Sequence, residues 1–267
     1  MESIWVILAQ FIFRTTFGLS LAMGLTPANK VTSGYYRVHL WVIMGLNTFA
    51  ALVLYSAHEP IAKAIDSSTL ANVAFWLAIF LAVASYIGAV LWLYEKASVG
   101  TIALYVIAAV GILAATIVTP WKQGTNLIGI LIAMCDGLSG GLLLGTTLAA
   151  MFLGHWYLNT PTMELVPLRR LVQFMMAAIV LRAVCSAAGL GAEMVAGNPI
   201  SFSSWLFVVM RWSSGLLATF LMAWMAWQTL KIPNTQSATG ILYAGVILAF
   251  IGELTAQLLS VGSRFPI

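Results

Sequence analysis

Five ionisable side chains lie inside apolar stretches of a 267-residue chain: Arg14, Asp136, Arg182, Arg211 and Glu253. A charge held in hydrocarbon costs several kcal/mol, so such residues face one another, a wet cavity or a ligand. An Asp–Arg pair beside a cavity can pass protons. An arginine without a carboxylate attracts carboxylates, phosphates or carbonyl oxygens. Three arginines against two acids leave one formal positive charge. That excess favours an anionic or carbonyl ligand, or a carboxylate supplied by a partner subunit. The plainer alternative is an ion-pair network that only decides which helices meet.

The histidines form a second group. His58 sits beside Glu59 in a connection and reads as solvated. His39 opens the second apolar run, after Tyr35, Tyr36 and Arg37, and His155 closes the fifth, next to Trp156 and Tyr157. Two imidazoles at one depth on different helices could ligate a b-type haem, with Arg37, Arg169 and Arg170 on its propionates. His155, Trp156 and Tyr157 could instead donate hydrogen bonds to a quinone. Both segments also read as ordinary interfacial blocks of aromatic, basic and His residues. No metal site is expected, because no carboxylate or thiol is placed near these histidines in sequence. Cys135 and Cys185 lie in apolar runs without CxxC spacing and read as packing residues. The chain carries no Walker-type loop, dinucleotide fingerprint, HExxH or GxSxG, so stand-alone catalysis is not expected.

These groups need elements to hold them, and composition says which kind. The chain is 61% hydrophobic and 7% charged, against about 25% charged in soluble domains. So few charges cannot solvate a water-soluble fold of this size. Of ten tryptophans, several end apolar runs (Trp5, Trp41, Trp121, Trp156, Trp205), as in the aromatic belts of membrane helices. The net charge of +4 is scattered, and no nucleic-acid surface is expected. The reading is an all-α membrane protein with about eight transmembrane helices, each on the order of 20 residues. The runs cover 4–25, 37–57, 70–94, 100–120, 126–156, 168–191, 204–230 and 240–260. Turn residues punctuate the joints, among them Pro27, Pro60, Pro120, Pro161, Asn198-Pro199 and Pro233. The first run, lacking a basic start, reads as a retained span rather than a cleaved signal.

Loop charges orient the bundle. With the N-terminus outside, inner loops hold Lys30, Arg37, Lys96, Arg169, Arg170 and Lys231, and outer loops hold Lys63, Lys122 and Arg264, with Glu2, Glu59, Asp66 and Glu193. That asymmetry predicts N-out and C-out, in a bacterial-type cytoplasmic membrane. The chain reads as one integral domain, 1–267. A faint echo between spans one-two and five-six suggests halves 1–122 and 123–267, as two four-helix bundles.

At 1.5 Å per residue, Arg14 and Asp136 lie roughly 15 Å below the outer edge, and the other three somewhat shallower. Four of the five fall on spans five to eight, where a four-helix arrangement would let Asp136 and Glu253 neutralise Arg182 and Arg211. Each rides a small or polar stripe: Arg182 with Ser186 and Gly189, Arg211 with Ser214 and Gly215, Glu253 with Ala249 and Gln257. Gly137, Gly141 and Gly145 make a bare stripe on span five that suits close helix packing, or alternatively a flat cofactor or lipid tail.

The expected function is an integral subunit of a larger energy-converting or electron-transfer complex. It would contribute an anchor, a quinone or haem pocket, or a proton route, with the bilayer and other membrane or peripheral subunits as partners. The alternatives are a small secondary transporter or channel using the charge cluster, and a structural or assembly protein.

Overall fold

The computed structural model describes residues 2–121, 127–160, 162–197, 201–232, 234–263 and 265–267. Lys122, Pro161, Asn198, Pro199, Pro233, Arg264 and the side chain of Glu2 lie outside the described residues. All the described elements are helical: α1 (Glu2–Gly24), α2 (Ser33–Ser56), α3 (His58–Ala64), α4 (Ser68–Leu93), α5 (Ala97–Ile117), α6 (Leu127–Asn159), α7 (Val166–Val195), α8 (Phe202–Met210), a π-helical stretch (Arg211–Ala218), α9 (Thr219–Thr229) and α10 (Thr235–Gly262). Helix α8, the π stretch and α9 form one continuous span, Phe202–Thr229. Eight helical runs are long and apolar enough to cross a membrane, and the protein is an integral multi-pass membrane protein. They fall on the eight apolar runs of the sequence. Helix α3, too short to span, has no counterpart in that reading.

Side-chain caps hold several helix starts. Ser67 accepts from the Leu70 N–H at 3.2 Å, Ser201 from Ser204 at 3.2 Å and Asn234 from Ser237 at 3.0 Å. Each satisfies a donor that the first helical turn leaves free. Asp66 and Glu95 adopt left-handed conformations (φ 55° and 56°) in the tight links before α4 and α5.

Helix α1 is the hub of the bundle. Its span is 83% buried, against at most 44% in any other span. It packs along α5 and α6 and touches α2, α3 and α10. Past Ile4 and Trp5 this helix carries no exposed residue, which accounts for its polar content: Gln10, Arg14, Thr15, Thr16 and Ser20 are all buried. The other helices turn large apolar side chains outward, such as Trp76, Phe80 and Val83 on α4. Lipid tails are as apolar as Leu, so size rather than polarity separates inside from outside.

Glycine brings α1 against α6. Gly18 of α1 sits over Gly141 and Gly145, and a Cβ on Gly18 or Gly145 would overlap the partner's backbone. Phe17 covers Gly141, whose Cβ would lie 2.6 Å from the ring. On the other side of the bundle, Gly215 of the π stretch meets Gly252 of α10; a Cβ on Gly215 would sit 2.5 Å from the Gly252 Cα.

Candidate functional site

All five charges are buried inside the bundle, and four form one network. Arg182 of α7, with no exposed surface, is its centre. Its Nε and Nη2 donate to the two oxygens of Glu253 on α10, at 2.6 and 2.9 Å. This is the bidentate fork in which Arg binds carboxylate most strongly. Its Nη1 donates to Asp136 Oδ1 on α6 at 2.5 Å, with the Asp136 carbonyl at 3.1 Å and Ser139 Oγ at 3.3 Å. The second carboxylate oxygen, Asp136 Oδ2, lies 2.9 Å from Arg14 Nη1 on α1. That nitrogen is poorly aligned for a hydrogen bond, so the contact is Coulombic. Gly140 makes room for the network: a Cβ there would sit 2.6 Å from Glu253 Oε2.

Arg211 stands apart. Its Nη2 donates to Ser186 Oγ at 2.5 Å, its Nη1 has no partner, and among the described residues no carboxylate pairs with it. The expectation that Asp136 and Glu253 would neutralise Arg182 and Arg211 therefore needs correcting. Both carboxylates bind Arg182, and the second cation on Asp136 is Arg14. The reason is the Gly18–Gly141–Gly145 contact, which draws α1 against α6 and sets Arg14 beside Asp136. Spans five to eight alone do not build the site.

Arg14 also closes the inner end of a cleft of about 360 Å3 between α5 and α6. Thr116, Thr119, Trp121, Met134 and Gly137 contribute to its walls. The Thr116 and Thr119 hydroxyls donate to carbonyls one turn back, leaving lone pairs to accept. Gln10 uses one of these, donating to Thr119 Oγ1 at 3.2 Å. Leu113, Met134 and Leu138 are exposed along the cleft, whose outward side is therefore apolar. The Arg14 Nε has no hydrogen-bond partner. Its Nη2 lies 4.0 Å from where a Gly137 Cβ would be. The glycine stripe thus divides its work. Gly141 and Gly145 pack on α1, while Gly137 borders the cleft and the guanidinium.

The histidines are placed differently. His39 is buried, with Nδ1–H donating to the Tyr35 carbonyl at 2.6 Å. Its ring stacks on Phe152 at 4.3 Å and meets Tyr35 at 4.6 Å. His155 is exposed and faces α10, where its Nδ1 lies 3.3 Å from Tyr243 Oη. A haem needs a flat slot between two imidazoles that point at one iron. His39 is enclosed by rings, so the pair does not fit that group. The other expected donors are engaged within the chain. Trp156 Nε1 donates to Thr32 Oγ1 at 2.8 Å, Tyr157 Oη donates to the Glu164 carbonyl, and Arg169 Nη2 donates to the Leu230 carbonyl at 2.7 Å. Arg37 is half-buried and Arg170 exposed. Cys135 and Cys185 are unbridged. Among the described residues no three His, Cys, Asp or Glu side chains gather as a metal site.

Two contributors escaped the sequence reading. Gly18 carries the α1–α6 contact, and Gly252 meets Gly215. Isolated glycines gave no repeating spacing to find them by. Comparisons with protein-family models, curated proteins and solved structures return no match to this chain.

Proposed function

We propose that this protein is an integral subunit of a larger electron-transfer complex, in which the Arg14 cleft holds the headgroup of a quinone-class molecule. The observation that carries this reading is a guanidinium at the inner end of a cleft whose outward side is apolar. Its volume of about 360 Å3 lies within the roughly 300–1,000 Å3 of small-molecule sites. The cleft combines apolar walls for a prenyl or ring portion with few polar groups to fix orientation. Arg14 can donate to a carbonyl oxygen, and Asp136 holds the guanidinium in place. As the headgroup gains electrons its oxygens become more basic, and a fixed cation stabilises that charge. In this reading the electrons come from a partner subunit.

The test is gentle purification from native membranes, followed by protein mass spectrometry and analysis of the extracted lipids. Co-purifying redox subunits, and a quinone that is displaced by a short-chain quinone and lost in Arg14→Gln, are the expected results. Because Asp136 keeps Arg182 as its partner, that variant retains its fold. Phospholipid alone, or quinone retention unchanged in Arg14→Gln, overturns the quinone site. A purified chain without redox partners overturns the complex.

One observation favours a second reading, a small transporter. The seventh span carries the π-helical stretch Arg211–Ala218, and π segments concentrate at functional sites. Solute uptake by liposomes containing this chain alone would move the assignment there.

A further inference from the structure

Arg211, Ser186 and Gln257 lie on three neighbouring spans, at a level the quinone reading does not use. On α7, Ser186 lies one turn beyond Arg182; on α10, Gln257 lies one turn beyond Glu253. Arg182 and Glu253 are bonded face to face. The next turns therefore set Ser186 and Gln257 at one level, toward the face where α1 begins. Arg211 reaches this level from the π stretch and donates to Ser186 Oγ at 2.5 Å. Arg211 is 1% exposed and Gln257 4%. The Arg211 Nη1 and both polar atoms of the Gln257 amide have no hydrogen-bond partner.

The next turn outward is largely apolar. Ile267, Val208 and Leu259 form a small apolar cluster with Leu190 and Trp212 packed on it. Val208 and Leu190 lie one turn from Arg211 and Ser186 respectively. Pro266 covers Gly189, and the Phe265 N–H is held by Glu193 Oε2 at 2.8 Å. Arg211 is thus buried between the ionic network and an outer layer of apolar residues that also holds the buried Glu193. Across the five charges, three arginines face two carboxylates, and both carboxylates are engaged by Arg182. An uncompensated cation at this depth is costly, and free donors beside it are costly again.

We infer that Arg211, Ser186 and Gln257 form an occluded site for a small monovalent inorganic anion of halide size. Arg211 Nη1 and Gln257 Nε2 supply the donors, and the anion compensates the charge that Arg211 carries without a carboxylate. A π turn widens the helix by one residue, which sets Arg211 into the bundle here.

The experiment compares melting of the detergent-purified protein with chloride or gluconate as the sole anion at matched ionic strength. Chloride at a hundredfold excess over its Kd is expected to raise Tm by about 5 °C. Arg211→Gln should melt alike in both salts, and in gluconate should equal or exceed the unmodified protein, because the charge needing compensation is gone. Gln257→Leu removes a donor but keeps the charge, so it should need at least threefold more chloride for the same shift. Arg14→Gln should keep the full chloride response, which separates this site from the quinone cleft. Equal melting of the unmodified protein in both salts overturns the site, as does an unchanged response in Gln257→Leu. If Arg211→Gln fails to fold, Gln257→Leu decides. In bromide, an anomalous-scattering peak at Arg211 supports the inference, and a peak elsewhere or none overturns it.

Discussion

Arg182 and His39 are both buried polar side chains on long helices, yet their surroundings differ in kind. Arg182 draws partners from two other helices, and those partners draw in a third, so removing Arg182 strands charge in the bundle. His39 bonds to a carbonyl of its own helix and is otherwise packed between rings. The same division holds for the two halves of the molecule. Toward the face where α1 begins, polar groups are satisfied by long-range contacts and only in part. Toward the opposite face, Tyr36 bonds to the Thr26 carbonyl and stacks on Trp92 at 3.9 Å, and Tyr35 bonds to the Ala149 carbonyl. Aromatic and backbone contacts dominate there, although Trp92 Nε1 and Arg169 Nε keep no hydrogen-bond partner. What sets the two regions apart is charge: the ion network joins side chains of α1, α6, α7 and α10, whereas the tyrosines and His39 bond to backbone carbonyls.

Breaking the comparison at Arg182 should produce the largest effect. Arg182→Gln strands Glu253 without a cation and leaves Asp136 only the off-axis contact with Arg14. The expected loss is about 3–5 kcal/mol, read as collapse of the folded peak in detergent chromatography. A double exchange, Asp136→Arg with Arg182→Asp, should not rescue it, because it sets a new arginine against Arg14. Recovery of the folded peak in that double variant would show a simple pair instead of a network.

Gly145→Ala comes next. Its methyl meets the Gly18 backbone, which cannot move aside as a side-chain tip can. Overpacking of this kind costs about 1–3 kcal/mol, so a clear drop in Tm is expected. Gly240→Ala, where nothing lies within 4 Å, is the matched control and should leave Tm unchanged or slightly raised, since Ala favours the helix.

His39→Phe should cost only about 1 kcal/mol, the worth of one hydrogen bond, since the aromatic stack is kept. It should also leave any visible absorption of the purified protein untouched. Loss of a haem-like band in this variant would overturn the reading of His39 as a packing residue. The smallest effect is expected at Lys30→Ala. The Lys30–Glu164 pair is close, at 2.7 Å, but lies at the surface, where such pairs contribute about 0–1 kcal/mol. A shift in Tm as large as that of Gly145→Ala would remove the contrast between the two halves.

Much of the bundle was legible in advance because hydropathy reports directly on the solvent. Runs of apolar residues, tryptophans at their ends and proline between them located eight spans. The five charges were legible for the same reason, since each stands out against its run. Their partners were not. Helical periodicity shows which residues share a face, but nothing in an apolar face says which neighbour it meets, because lipid and helix are equally acceptable to Leu or Val. Gly18 and Gly252 illustrate the loss: a lone glycine has no period, and its role appears only when another backbone lies against it.

Composition and pattern along the chain determined that this protein lives in a membrane, how many helices cross, and that five charges lie among them. Tertiary structure alone decided that α1 is the central helix and that Arg14, not Arg211, completes the network with Asp136. It likewise decided that His39 is enclosed and that Arg211 and Gln257 keep free donors. The physical reason is range. Burial in lipid is a property each residue carries by itself, whereas charge compensation depends on distances of about 3 Å between helices far apart in sequence.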